Sequence, residues 1–136
     1  MDNKKRIKVI ISMMGLDGHT TGALVVAQIL KDSGIEVVYL GTYQTPEMIV
    51  EAAIQEDVDA IGISFHASNH FLIVEIIELL RNKGKEDILV FCGGTIPEQQ
   101  IPILKEKGVD EVFTPKYTSE SIVEYIKSKI RSRHLS

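Results

Sequence analysis

The stretch VDAIGIS at residues 58–64 is a short apolar run rich in β-branched side chains. Its apolar residues follow one another instead of alternating with polar ones, which indicates a strand buried on both faces. Strands of this kind belong to parallel sheets that are covered by helices on both sides. Similar runs recur as IKVIIS (7–12), IEVVYL (35–40) and DILVFC (87–92), with a shorter fifth run, DEVF, at 110–113.

Segments with helical spacing separate these runs. PEMIVEAAIQED (46–57) and SESIVEYIKSKI (119–130) each have an apolar side and a polar side when they are wound as helices. The residues predicted to be buried are Met48, Ile49, Ala52 and Ala53 in the first segment, and Ile122, Val123, Ile126 and Ile130 in the second.

Proline, glycine and hydroxyl residues mark the predicted helix ends. Pro46 and Pro97 suit first-turn positions of helices. The last helix can be capped by Thr118 or by Ser119, and the sequence leaves both open. Three glycines follow helical runs and precede strands, as C-terminal caps do: Gly34, Gly84 and Gly108.

Strands and helices therefore alternate five times with short connections. This order predicts an α/β fold with an open, five-stranded parallel sheet, right-handed crossovers and helices on both faces. Five strands that alternate with helices in this way favour the flavodoxin-like (Rossmann-like) strand order 2-1-3-4-5. The 136 residues fit a single domain, 1–136, with a core over about residues 6–130.

Composition narrows the function classes. The net charge is −4, and no basic stripe crosses the body of the chain, so we expect no nucleic-acid partner. The chain has one cysteine, Cys92, which favours a reducing compartment such as the cytoplasm. The apolar stretch near the N-terminus is too short for a membrane span, so we expect no membrane association.

Ligands of such sheets bind outside the carboxyl ends of the strands, where the strand order reverses. The segments to inspect are MMGLDGHTTG (13–22), SFHASNH (64–70) and CGGTIP (92–97), which we predict to be the loops after the first, third and fourth strands. The glycine pair at 93–94 fits neither phosphate-binding glycine motif. It indicates either room for a ligand or a plain turn.

The first of these loops places His19 two residues after Asp17, among glycines. A metal-ligating imidazole usually donates its second N–H to a carboxylate, which fixes its orientation. Two interpretations remain open from the spacing: a metal ligand that is oriented by Asp17, or a polar turn that caps the next helix.

One histidine does not hold a bare metal ion, because zinc needs three or four protein ligands. A zinc site from His66, His70 and Cys92 is an alternative, although the spacings match no zinc pattern. A metal that is already held by a macrocycle needs only one axial ligand from the protein, and that suits His19 better.

The three loops together resemble the cobalamin-binding domains of coenzyme-dependent mutases. The resemblance rests on Asp17-Gly18-His19-Thr20-Thr21-Gly22 after the first strand, Ser64 ending the third, and Gly93-Gly94 after the fourth. Over residues 6–130 the chain is similar to the small, separate subunit of acyl-CoA mutases, the isobutyryl-CoA, 2-hydroxyisobutyryl-CoA and methylmalonyl-CoA mutase family.

The resemblance implies a role for each matching position. His19 would be the lower cobalt ligand, in place of the cofactor's own dimethylbenzimidazole, and Asp17 would hydrogen-bond to it. The displaced nucleotide tail would enter a slot between the sheet and the first helix, where Ser64 meets the base. Gly93 and Gly94 would leave room for the tail, and Phe113 would line the slot. The other implied cofactor-binding residues are Gly18, Thr20, Gly22, Phe65 and His66.

The chain departs from the family pattern at several positions. Met13 stands where the family commonly has lysine, and Thr20-Thr21 replace an Asp-Arg pair. His66 stands where the family has leucine. None of these changes removes the implied axial ligand.

The implied function is that of the adenosylcobalamin-binding small subunit of an acyl-CoA mutase. The reaction is a radical carbon-skeleton rearrangement that starts with homolysis of the cobalt–carbon bond. A large subunit would hold the acyl-CoA substrate, so the expected assembly is a hetero-oligomer, and no catalytic residue is expected in this chain. The alternatives are a corrinoid carrier for methyl transfer and a flavodoxin-like module that binds no corrinoid.

Overall fold

The computed structural model describes residues 6–14, 21–66, 71–114 and 117–135. Five strands form one parallel sheet in the order β2-β1-β3-β4-β5, which confirms the predicted order. The elements are β1 (Lys8–Met14), α1 (Thr21–Asp32), β2 (Glu36–Gln44), α2 (Pro46–Glu56), β3 (Ala60–His66), α3 (Phe71–Asn82), β4 (Leu89–Thr95), a 3₁₀ turn (Glu98–Gln100), α4 (Ile101–Glu106), β5 (Glu111–Phe113) and α5 (Ser119–Leu135).

Helices cover both faces of the sheet, as the continuous apolar runs predicted. Ile10 of β1 belongs to the core cluster that contains buried residues of α2, α3 and α4. Its neighbours Val9 and Ile11 belong to the cluster on the other face, with buried residues of α1 and α5. Successive side chains of a strand point to opposite faces, so an apolar run serves both cores at once.

The predicted buried face is correct for α5 and partly wrong for α2. Ile126 and Ile130 of α5 are fully buried. In α2, Ile49 is buried, but Met48 is 48% exposed and Val50 is buried instead. Hydropathy does not separate these adjacent apolar residues; the angle at which the helix rests on the sheet does, and it brings positions 49, 50 and 53 inward.

Left-handed residues end the helices as predicted. Gly34, Gly84 and Gly108 have φ values of 87°, 69° and 118°. Asp57 takes the same role after α2 with a φ of 54°. The next residue, Val58, donates its N–H to the Ala53 carbonyl, which satisfies an acceptor at the helix end.

Helix starts follow the sequence signals with one exception. Pro46 begins α2, and Thr45 Oγ1 accepts the Met48 N–H at 3.2 Å. Thr118 is the cap of α5, because its Oγ1 accepts the Ser121 N–H at 3.1 Å. Pro97 is not in the first turn of α4: it caps a 3₁₀ turn, in which its carbonyl accepts the Gln100 N–H at 2.9 Å. The turn inserts three residues before α4.

Two aspartates bind neighbouring strands together at their amino ends. Asp59, just before β3, accepts the Lys8 N–H of β1 at 3.0 Å. Asp110, just before β5, accepts the Val90 N–H of β4 at 2.8 Å. Each carboxylate satisfies a strand-end donor that the ladder leaves unpaired, and so helps to set the register.

Candidate cofactor-binding edge

Four residues form a row across the sheet near the carboxyl ends of the strands. Ser64 of β3 pairs with Met13 of β1 on one side and with Gly93 of β4 on the other. Gly93 in turn pairs with Phe113, the last residue of β5. Three of the predicted site residues, Ser64, Gly93 and Phe113, are thus in register on adjacent strands.

The strands continue beyond the ends that the sequence indicated. Ser64 does not end β3, because the strand runs to His66. Gly93 and Gly94 were expected in a loop but lie within β4, where Phe65 pairs with Gly94. Pairing with the adjacent parallel backbone keeps both residues in the strand although glycine has a low strand propensity. Gly94 has a φ of 125°, a backbone conformation that glycine adopts readily and other residues rarely do.

The row faces the side of the sheet that carries α1 and α5. Phe113 belongs to the core cluster on that side, as does Phe91, which lies two residues before Gly93 on β4. Residues two apart on a strand share a face, so Gly93 and its neighbour Ser64 also face α1 and α5. Both are only half-buried although β3 and β4 are inner strands.

The two central residues of this row, Ser64 and Gly93, are small, so no bulky side chain projects from the sheet there. A methyl group on Gly93 would lie 3.1 Å from the Phe113 carbonyl oxygen, so the backbones are closely packed there. We refer to the half-buried surface over these two residues, on the face of the sheet that carries α1 and α5, as the Ser64–Gly93 recess. Its position and its lack of bulky side chains fit a flat group that enters from the carboxyl edge.

Phe113 is the centre of an aromatic cluster beside the recess. Its ring packs edge-to-face against Phe91, Tyr117 and Tyr125, with centroid distances of 5.7, 5.1 and 5.4 Å. Tyr125 of α5 also donates its hydroxyl to the Asp110 carbonyl at 3.2 Å. Neither tyrosine is among the residues predicted for the site from the sequence, although Tyr125 directly precedes Ile126 on the apolar side of its helix.

Several predicted site residues lie outside this geometry. Asp17, Gly18, His19 and Thr20 are outside the described residues. Gly22 is in the first turn of α1, so a helix does begin after the first loop as expected. Phe65 and His66 are the last two residues of β3, at the carboxyl edge next to Ser64.

Of the zinc alternative, His70 lies outside the described residues, and Cys92 lies within them. Within residues 6–14, 21–66, 71–114 and 117–135, no group of three or more His, Cys, Asp or Glu side chains could hold a metal ion. Cys92 is fully buried in the core cluster on the opposite face from Ser64. Burial raises the pKa of its thiol to about 12, which disfavours the thiolate that zinc requires.

No helix in the part of the chain that the structure describes combines the length and the apolar character needed to span a membrane.

A sequence model of the B12 binding domain matches residues 7–123. The chain belongs to the B12-binding domain family. The match begins beside β1 and continues into α5, so it includes all five strands of the sheet. The recess therefore lies within the family domain.

Two relatives resemble this B12-binding domain over most of its length. The 2-hydroxyisobutanoyl-CoA mutase small subunit of Aquincola tertiaricarbonis is 37% identical, over 93% of this chain and 94% of the relative. The pivalyl-CoA mutase small subunit of Xanthobacter autotrophicus is 40% identical, over 88% of this chain and 81% of the relative.

Solved structures show the same fold. A cobalamin-binding protein from Desulfitobacterium hafniense superimposes with a TM-score of 0.78 at 20% identity, over 91% of this chain and 59% of that protein. At this level of identity the likeness concerns the architecture alone.

Proposed function

We propose that this chain is the adenosylcobalamin-binding small subunit of a two-subunit acyl-CoA mutase that catalyses carbon-skeleton rearrangement. The observation that carries the proposal is its similarity, along nearly its whole length, to two mutase small subunits. We further propose that residues 1–136 act as one cobalamin-binding domain in the cytoplasm.

We propose the following roles for residues of the chain in holding the cofactor. His19 would ligate the cobalt of the cofactor, and Asp17 would accept a hydrogen bond from its imidazole and so orient it. The Ser64–Gly93 recess offers space for the displaced nucleotide tail, because two small residues lie side by side on inner strands and remain half-buried. When bound, adenosylcobalamin supplies a radical by homolysis of its cobalt–carbon bond.

The proposed role of this chain is to bind the cofactor. Gly18, Thr20 and Gly22 are proposed to shape the loop and helix start next to the corrin ring, and Phe65, His66 and Gly94 the edge where the tail enters. Phe113 is proposed to support the recess from the side through its packing against Phe91. The chain is proposed to bind and orient the cofactor, and the residues that act on the acyl-CoA are proposed to belong to the large subunit.

A large mutase subunit is the proposed partner, and it would hold the acyl-CoA. Support comes from charge: residues 60–74 and 88–97, which lead into and out of the carboxyl ends of β3 and β4, contain no Asp, Glu, Lys or Arg. An edge with few charged residues is suited to coverage by a cofactor and a second protein, because few charged groups lose water there.

The test is absorbance spectroscopy of the purified chain titrated with adenosylcobalamin. Wild type should give the spectrum of base-off cobalamin with a histidine ligand, whereas His19→Ala should not. His134→Ala, in the last turn of α5, is the matched control and should behave as wild type. The same spectrum from His19→Ala would overturn the axial-ligand assignment, and no binding by wild type would overturn the proposed function.

A further inference from the structure

Phe91 reaches from β4 across to β3. A methyl group on Gly62 of β3 would lie 2.6 Å from both Cε2 and Cζ of Phe91, and 2.9 Å from Cδ1 of Ile11. These distances are too short for carbon atoms that are not bonded to each other. The Phe91 ring therefore occupies the space that any side chain at residue 62 would fill. Gly62 is therefore required for this position of the ring.

The ring lies beside the recess, on the side nearer the amino ends of the strands. Gly62 precedes Ser64 by two residues on β3, and Phe91 precedes Gly93 by two residues on β4, so all four residues share one face. Two residues span about 6.6 Å of strand, so the ring closes the recess one step towards the amino ends.

The Phe91 ring is held firmly in this position. Phe91 is 4% exposed, and its ring packs edge-to-face against Phe113 with centroids 5.7 Å apart and ring planes at 82°. Tyr125 packs against Phe113 in the same way and connects the ring pair to α5. A ring with aromatic and aliphatic neighbours cannot move aside without disturbing the core cluster.

We propose that Phe91 sets the depth of the recess and thereby selects cofactors by the size of the base on their nucleotide tail. The inference rests on the proposed function and deepens it, because it concerns which cobalamin-type molecule the site accepts. A flat base of limited length fits between the carboxyl edge and the Phe91 ring, whereas a base with an additional fused ring collides with it. Shortening residue 91 deepens the recess and reduces this discrimination.

The experiment measures dissociation constants by absorbance titration for three adenosylated corrinoids. One carries dimethylbenzimidazole, one carries the longer naphthimidazole, and one is cobinamide, which has no nucleotide tail. The variants are Phe91→Leu and the more conservative Phe91→Met, with circular dichroism to show that each is folded. Val90→Ala is the matched control, since Val90 is the adjacent buried residue of β4 and faces the opposite core cluster.

Wild type should bind the dimethylbenzimidazole form more tightly than the naphthimidazole form. The Phe91 variants should reduce that ratio by about tenfold, the usual scale for relieving an overpacked contact. Val90→Ala should leave the ratio unchanged, and no variant should change cobinamide binding by more than about twofold, below the scale of a lost aromatic contact.

The outcomes separate the two proposals. Unchanged ratios in folded Phe91→Leu and Phe91→Met would overturn the role of Phe91 and leave the proposed function standing. Cobinamide binding as tight as that of the dimethylbenzimidazole form would do the same, because the tail would then gain nothing from the recess. Failure of wild type to bind any of the three corrinoids would overturn both.

Discussion

Successive residues of β4 point to opposite faces of the sheet. Cys92 lies between Phe91 and Gly93, yet its side chain is fully buried against α2 and α3, away from the recess. Gly93 is half-buried on the other face, where a methyl group would approach the Phe113 carbonyl oxygen. One strand therefore contributes a core residue and a candidate binding residue at adjacent positions, because the side-chain period of a strand is two.

Cys92 should be protected from thiol reagents in the folded chain. Burial raises the pKa of its thiol from 9.0 to about 12, so the reactive thiolate is scarce at pH 8 as well as inaccessible. Labelling of the native protein at pH 8 by a chromogenic disulfide should be at least ~1,000-fold slower than labelling in urea, as expected for a core residue exposed only on global unfolding. Equal rates in the two states would contradict the burial of this residue.

Four of the helices end with the same backbone arrangement. Four helices are followed by a residue with positive φ, which is glycine in three cases and Asp57 after α2. The residue after it donates its N–H back into the helix, as Ile35 does to the Leu30 carbonyl and Val109 to the Leu104 carbonyl. This arrangement ends each helix and directs the chain into the next strand.

Gly108→Ala should destabilise the fold more than Gly34→Ala. At Gly108 the φ is 118°, and a methyl group would lie 3.0 Å from Ile77 Cγ2 and 3.1 Å from Arg81 Nη2. At Gly34 the φ is 87° and nothing lies within 4 Å, so that variant isolates the backbone cost. Urea unfolding should show a loss of about 1–2 kcal/mol for Gly34→Ala and about 1 kcal/mol more for Gly108→Ala. Equal losses would show that the contacts with α3 do not matter.

A cluster of charged side chains lies at the amino ends of the strands. At the amino ends, Lys8 Nζ lies 3.4 Å from Glu56 Oε1 and 3.5 Å from Glu36 Oε2. These two carboxylates raise the pKa of Lys8 against an opposing effect of desolvation, which is the largest single influence. The carboxyl ends of β3 and β4 lie in segments without charged residues. These ion pairs therefore lie at the opposite end of the strands from the carboxyl ends of β3 and β4, where the binding site is proposed.

Cofactor binding at that edge should stabilise the whole fold. A ligand that binds only the folded chain adds about 2.7 kcal/mol at a concentration 100 times its dissociation constant. Pulse proteolysis over a urea series, with and without adenosylcobalamin, should therefore show a shift of the unfolding midpoint. His19→Ala at the same cofactor concentration should show a smaller shift. A midpoint that does not depend on the cofactor would contradict binding to the folded state.

Local sequence patterns were sufficient to predict the order of the helices and strands along the chain and the order of the strands in the sheet. Five apolar runs, the helical spacing between them and the glycines at 34, 84 and 108 each act within a few residues, so they can be recognised without knowing the partners. The candidate edge followed for the same reason, since the carboxyl ends of alternating strands and helices meet on one side of a parallel sheet.

Only the tertiary structure decided where the strands end and which side chains are exposed. β3 and β4 extend through His66 and Thr95 because each backbone finds a hydrogen-bonding partner in the other, a long-range effect that propensity does not contain. The burial of Val50 in place of Met48 depends on the docking angle of α2. The position of Phe91 over Gly62 depends on the register between two strands that are distant in sequence. These features arise from packing between elements, which no single segment of the chain encodes.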